Sequence, residues 1–543
     1  MRHLATASLS MMVLLIPVAA WAQPDIQHST ITSERLVDAG KDPSNWLLYS
    51  GQYNSQRFSQ LKQIHDGNVE DLRVKWVRQF PITELFETTP LVVDGVMYLT
   101  LPENIVWALD AKTGLPFWSY EHPLPDQLSL CCGKVNRGVA ILGDTLYMGT
   151  LNAELVALDS KSGNVRWTVP VADGTQGFSL TGAPLIVKDM VIVGVGGGEY
   201  GIRGFVDAYD ANTGKRRWRQ HVIPGPGEKG HETWEGDSWK IGGASTWMTG
   251  SYDPELDLLY WGIGNPGPDW NGDVRIGDNL YSDCVLAFDT DAGTIKWHFQ
   301  FTPHDVHDWD ACQVPVLVDL PYQGKMRKLM LWGNRNAFYY VLDRVTGEFL
   351  HATAFAKQTW AEKIDHTGRP VRIPDTFPTK DGTLVYPDVG GAANWWSPTY
   401  SPKTELFYLM AFDGAGTYYL GAEVDHKPGL PFLGGFGTTN EFEEFPDSEY
   451  VSAVRALDPT TGNRKWEYRV QAKSTSGLVS TAGNLVFGGT VKGNFFALDS
   501  RNGTELWRLD LGGRVHAAPM TYMVDGKQYV TIAVGSALFT LGL

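Results

Sequence analysis

Cys131 and Cys132 are adjacent in the stretch LCCGKVNR, and Arg137 closes it. Neighbouring Cα atoms stand about 3.8 Å apart across a trans peptide, whereas ordinary disulfides hold theirs about 4.4–6.8 Å apart. Adjacent cysteines can therefore join only in a small, strained ring. Such a ring closes a minimal loop, so its stabilisation through chain entropy is small. The pair reads either as a rigid sulfur surface presented to a ligand or as two buried free thiols. The two residues alone leave both readings open.

Other polar stretches carry side chains suited to a hard cation or a planar anion. Glu87 stands in LFETTPL, where a strand would otherwise be apolar, and the glycine run GVGGGE ends at Glu199. That run lacks the Lys-Ser/Thr of a phosphate loop, but its backbone could approach a flat ligand closely. Asn265 lies in the Gly/Pro-rich YWGIGNPGPDW; an amide oxygen and a carboxylate are ligand types for calcium-like ions. In TPHDVHDWDAC, Asp305, Asp308 and Asp310 alternate with His304 and His307. Carboxylates so closely spaced repel unless a cation or basic groups compensate. Neither HExxH nor a cysteine pair at zinc spacing accompanies them. Arg335 in GNRNAFYY adds a rigid donor fork suited to a planar anion, and Asn394 in GGAANWW adds an amide beside aromatic rings.

A repeat supplies the elements that must position these residues. The pattern A-x-D-x-x-x-G-x-x-x-W ends at Trp118, Trp167, Trp218, Trp297, Trp466 and Trp507. VLDRVTGEFL, at 341–350, is a copy without the tryptophan, and NVEDLRVKW, ending at Trp76, is weaker still. Each unit reads as strand, tight turn, strand. Where copies are close their aspartates recur at about 41–54 residues, a spacing suited to a four-stranded blade. The expectation is an all-β, eight-bladed β-propeller, with loops inserted between Asp210 and Asp289 and between Asp343 and Asp458. Insertions of that kind are candidates for the walls of a site. An N-terminal segment, from Asn45-Trp46 through Phe58, is expected to complete the last blade and so remove an exposed edge.

Residues 1–22 read as a secretory signal, with basic Arg2 and His3, an apolar stretch and an A-x-A cleavage site. The mature chain, 23–543, is expected to form one propeller domain in an oxidising, periplasmic compartment. It has no later run of the ~18–20 apolar residues that a membrane span needs. The net charge of -16 disfavours nucleic acid and anionic membranes and permits a basic protein partner. Cys284 and Cys312 either pair or stay buried.

Taken together, the residues resemble the quinoprotein alcohol dehydrogenases, periplasmic enzymes that carry pyrroloquinoline quinone (PQQ) in the centre of an eight-bladed propeller. The tryptophan repeat resembles that family's tryptophan docking motif, and the Cys-Cys pair with its arginine is the most specific likeness. The resemblance implies a Cys131–Cys132 disulfide against one face of the quinone and Trp247 against the other. Glu87, Arg137, Thr181, Gly197, Gly198, Arg335 and Asn394 match positions that contact the cofactor. Ser245 joins them where the family more often has threonine. Glu199, Asn265 and Asp308 match metal ligands, and Asp308 also matches the catalytic base. Asp310 is similar to the lanthanide-dependent branch, since calcium-dependent methanol dehydrogenases typically carry alanine there. A trivalent ion of calcium's size calls for one more anionic oxygen, so a lanthanide is favoured over calcium.

The activity implied is oxidation of a small primary alcohol by hydride transfer to PQQ, with a metal as Lewis acid and Asp308 as base. The chain has no C-x-x-C-H haem site, so a soluble cytochrome c is the expected electron acceptor; a homodimer is left open. Residues near Thr475 stand where the family has a second tryptophan, which favours a roomier site for ethanol and longer alcohols. The segment 425–450, with Phe432, Phe436, Phe442 and Phe445, either caps an apolar pocket or lies on the surface. Oxidation of sugars, polyols or aldehydes is the alternative activity, and a non-catalytic scaffold is the alternative class.

Overall fold

A computed structural model describes residues 26–439, 451–471 and 473–543. The signal segment and two of the four phenylalanines, Phe442 and Phe445, lie outside these residues. The repeat folds as expected, into eight blades of four antiparallel strands, one of which carries a fifth strand. The first blade comprises Leu91–Val93, Val96–Leu101, Ile105–Asp110 and Pro116–Glu121, laid side by side in that order. Six more follow within 140–170, 185–221, 251–300, 316–354, 399–470 and 479–510.

The repeated residues explain the shape of each blade. Asp110 Oδ1 accepts the backbone N–H groups of Lys112 and Thr113 at 2.8 and 2.9 Å, which closes the turn between the third and fourth strands. The pairing register then shifts at the same place in all eight blades, as between Ala108 and Leu109. This bulge re-aims the fourth strand so that its tryptophan reaches the neighbouring blade. Trp118 Nε1 donates to the Ser160 carbonyl at 3.0 Å and Trp218 Nε1 to that of Thr290 at 2.9 Å. A Cβ on Gly163 would lie 2.6 Å from the Trp118 ring, and one on Gly293 2.4 Å from that of Trp218. Glycine is thus needed both for its left-handed φ and for the ring that covers it. In the copy without tryptophan, His351 takes the position, and its Nε2–H donates to the Thr461 carbonyl at 2.8 Å.

Closure differs from the expectation in detail. Met520–Val524, Lys527–Val534 and Ala537–Gly542 make three strands of the last blade, and Arg73–Gln79 pairs antiparallel with Ala537–Gly542 as the fourth. The closing strand is therefore the one bearing Trp76, and the segment through Phe58 does not supply it. Phe58–Ser59 instead pairs in parallel with Val479–Thr481, as a fifth strand on the seventh blade. Trp76 is a docking tryptophan that needs a neighbour on each side, and the last blade provides one.

This topology has a direct consequence for position. Strands alternate in direction, so loops entering a first strand and loops joining second to third strands emerge at one end of the propeller. The Asp-to-Gly turns emerge at the other. The two long intervals accordingly add their loops to the first end. That near 343–458 carries two small extra sheets, Ala361–Ile364 with Pro370–Arg372, and Thr383–Val385 with Thr417–Gly421 and Gly435–Thr439.

Candidate active site

Every candidate residue lies in a loop of that first kind. Glu87 precedes the first blade, and Cys131, Cys132, Arg137 and Thr181 lie in connections into first strands. So do Ser245, Trp247, Asp308, Asp310 and Asn394. Gly197, Gly198, Glu199, Asn265 and Arg335 lie between second and third strands. The loops converge on a cavity of about 520 Å3. Thirteen of the fifteen line it; Gly198 and Asn265 do not, although Asn265 donates to Asp310 and Asp269, which do.

Cys131 and Cys132 form a disulfide whose sulfurs are exposed on the cavity side. Cys284 and Cys312 are free and buried. Facing the cavity elsewhere are three tryptophans, Trp247, Trp270 and Trp395. The Arg137 guanidinium lies 4.8 Å from the Trp247 ring and 4.6 Å from the Trp395 ring, and its Nη2 pairs with Glu87 Oε2 at 2.7 Å. Both members of that pair are buried. Burial raises Glu87 above the usual carboxylate range, with Arg137 opposing it.

The glycine run serves backbone crossing as well as bordering the cavity, which Gly196 and Gly197 line. A Cβ at Gly194 would fall 1.9 Å from the Thr246 carbonyl oxygen, and one at Gly197 2.3 Å from that of Gly177. The run lets backbone cross backbone, and so delivers Glu199 on the short turn Gly198–Tyr200.

The acidic stretch separates into two roles. Asp305 is buried and accepts the backbone N–H of Trp309 at 2.9 Å, which folds its own loop. His304 and His307 donate to the Gly277 and Thr376 carbonyls, each at 2.8 Å. Asp308 and Asp310 face the cavity. Asp308 adopts φ +61°, an unfavourable conformation for a residue with a Cβ and one that is found at functional sites. Arg335 Nη1 donates to Asp310 Oδ2 at 2.7 Å, and its Nη2 lies 3.4 Å from Asp308 Oδ2. Asp310 also accepts Trp247 Nε1–H at 3.1 Å and Asn265 backbone N–H at 2.7 Å.

Sequence reading missed Asp269. Its carboxylate lines the same cavity, is 2% exposed, and accepts from Asn265 Nδ2 at 3.1 Å. The signal was present, because Asp269 sits inside the quoted YWGIGNPGPDW, but an Asp after Gly-Pro reads as a turn residue. Burial, then Asp308 and Glu199, push Asp269 well above the usual carboxylate range. Burial, with Asp310 beside it, pushes Glu199 up to about 7. Asp308 is raised by burial and by Asp310 and Glu199, against the opposing Arg335. Such shifts mark a site built for positive charge.

Among the described residues of segment 425–450, the phenylalanine rings do not line the cavity but three nearby residues do. Pro431, Leu433 and Gly437 line the cavity. Phe432 packs edge-on against His426, and Phe436 is exposed. Thr475 does not line the cavity; its hydroxyl is engaged with His516 Nδ1 at 2.8 Å.

Comparison with known proteins identifies the family and the fold. The family model for the β-propeller domain of PQQ glucose/ethanol/alcohol dehydrogenases matches residues 46–357 and 469–530. The quinohemoprotein alcohol dehydrogenase ADH IIB of Pseudomonas putida is 40% identical, over 97% of this chain and 78% of its own. A quinoprotein alcohol dehydrogenase, PedH, of the same species is 37% identical, over 98% of this chain and 92% of its own. Among solved structures, a europium-containing methanol dehydrogenase superposes with a TM-score of 0.88 at 34% identity, covering 94% of this chain and all of that one.

Proposed function

The chain belongs to the PQQ-dependent alcohol dehydrogenases, and on that premise we propose that it oxidises primary alcohols, ethanol and longer, to aldehydes with Asp308 as general base. The observation that carries this reading is the Asp308 carboxylate. It faces the cavity, accepts no hydrogen bond among the described residues shorter than the 3.4 Å approach of Arg335, and is held in a left-handed backbone conformation.

The residues present fit both groups that the family implies. Arg137 Nε and Arg335 Nε are buried and without hydrogen-bond partners among the described residues, and both guanidiniums border the cavity, as a planar polyanion requires. Glu199, Asp308 and Asp310 present carboxylates to the same space, with Asn265 hydrogen-bonded to Asp310, a donor set for a hard cation. When bound, PQQ with its metal ion supplies the acceptor for the carbinol hydride.

The chain's own residues do the rest. Trp247 and the Cys131–Cys132 disulfide are the two walls that hold a flat ligand between them, and Glu87, Arg137, Thr181, Gly197, Gly198, Ser245, Arg335 and Asn394 hold its polar edges. Asp308 takes the hydroxyl proton on a carboxylate oxygen, and Arg335 keeps that carboxylate aimed. Leu85, Leu130, Leu433 and Val389 are among the residues that line the cavity, which suits an apolar alkyl chain. Glu199, Asn265, Asp308 and Asp310 form the metal site, with a lanthanide preferred over calcium. Three carboxylates favour a trivalent ion, and a europium-containing enzyme shares this fold closely.

The compartment we infer is the periplasm, reached through the signal at 1–22, and the electron acceptor is a separate cytochrome c. No helix among the described residues is long and apolar enough to cross a membrane. The test is to load the metal-free protein with PQQ and either lanthanum or calcium, and to follow dye-linked oxidation of a C1–C8 alcohol series beside glucose and glycerol. Oxidation that peaks among the longer primary alcohols supports the reading. A preference for glucose or glycerol, or no turnover with either ion, overturns it.

A further inference from the structure

Asn265 is held at both ends by aspartates. Its backbone N–H donates to Asp310 Oδ1 at 2.7 Å, and its side-chain Nδ2 donates to Asp269 Oδ1 at 3.1 Å. With Asp269 Oδ1 accepting from Nδ2, Asp269 fixes which way the amide is turned. The NH2 group faces Asp269, and the amide oxygen faces the opposite way. That oxygen lies 3.8 Å from where a Cβ on Gly198 would stand, beside the Glu199 turn.

The guanidinium whose field reaches Asp269 is the buried Arg275, which spends its donors on Asn279 and on the Pro268 and Asp305 carbonyls. Among the described residues Asp269 forms no ion pair, and its second oxygen accepts no hydrogen bond, although the residue is 2% exposed. An ionised carboxylate buried in this way is costly unless something positive reaches it. Arg137 is committed to Glu87, and Arg335, paired with Asp308 and Asp310, is the other guanidinium that lines the cavity with Glu199 and Asp269. With the field of Arg275 on Asp269 counted as well, four carboxylates against two guanidiniums leave two negative charges when all are ionised.

The geometry points to Asp269 as a further member of the cation site, one that turns the Asn265 oxygen toward the ion and adds the charge that selects a trivalent over a divalent ion. This rests on the metal site proposed above. Asp269 acts through Asn265 and through its field, and is a positioning residue for the reaction.

The test uses the full chain stripped of metal by chelation and titrated with terbium, read by tryptophan-sensitised luminescence, and with calcium as competitor. Asp269→Ala removes both the acceptor and the charge, and terbium affinity is expected to fall about 10- to 100-fold, the range for losing a residue that orients a ligand. Asp269→Asn keeps an oxygen for Asn265 Nδ2 but removes the charge, so terbium affinity falls by a larger factor than calcium affinity. Circular dichroism and melting of the metal-free variants establish that both are folded. Terbium binding within twofold of the parent in both folded variants overturns the inference while leaving the metal site intact. A parent that binds neither ion overturns the metal site and this inference with it.

Discussion

The Trp247 indole donates its N–H to Asp310 Oδ2 at 3.1 Å. One wall of the cavity is therefore tied to a carboxylate of the proposed metal site, and Arg335 donates to that same oxygen at 2.7 Å. Changing Asp310 alters both the charge offered to an ion and the set of the ring.

Asp310→Ala is expected to lose lanthanide-supported turnover while keeping calcium-supported turnover. The loosened Trp247 should appear separately, as a change in tryptophan fluorescence of the metal-free protein. Asp310→Asn retains an acceptor for the indole and should restore the fluorescence without restoring the lanthanide response. Equal lanthanide activity in the alanine variant and the parent would remove Asp310 from the metal site.

Asp308→Asn removes the base while preserving shape. Turnover should drop about 10^2- to 10^4-fold, the usual contribution of a general base. Stopped-flow measurement of the first turnover checks it, because the loss must appear in the chemical step and not only at steady state.

Glu87 and Arg137 form a buried pair between two tryptophans. Glu87→Ala leaves a buried guanidinium uncompensated and should cost about 3–5 kcal/mol. Adding Arg137→Met should recover a large part of that stability but none of the PQQ binding. Melting temperatures beside PQQ titrations separate the two effects.

Acid should destabilise the propeller in a defined window. His221 and His516 are pushed down to about 4, chiefly by burial, with Arg203 and Arg219 adding at His221 and Arg514 at His516. Between that value and the ordinary 6.5 of histidine, the unfolded chain binds protons that the folded one refuses. The stability these groups contribute is full above about 6.5 and is lost as pH falls through about 4. Melting temperature measured from pH 8 to 4 should decline in this window, and His221→Gln should flatten part of the decline.

The blade was legible because its information is local. An Asp whose side chain caps a turn, a Gly with left-handed φ and a Trp at fixed offset report their geometry within one unit, and the unit recurs along the chain. The closing strand was misassigned because pairing between Arg73–Gln79 and Ala537–Gly542 joins opposite ends of the sequence, where no local signal operates. The glycine run makes room for the Thr246 and Gly177 carbonyls at Gly194 and Gly197, and Gly196 and Gly197 also line the cavity. Composition reports that backbone comes close but not whose backbone it is.

By itself, the sequence determined the architecture and the residue types available for chemistry. Only the tertiary structure decided which charges meet. It committed Arg137 to Glu87 and left Arg335 to Asp308 and Asp310, tied Trp247 to Asp310, and brought Asp269 beside Asn265 within one cavity. Electrostatic pairing depends on distances across loops of different blades, and those distances are set by closure of the whole ring.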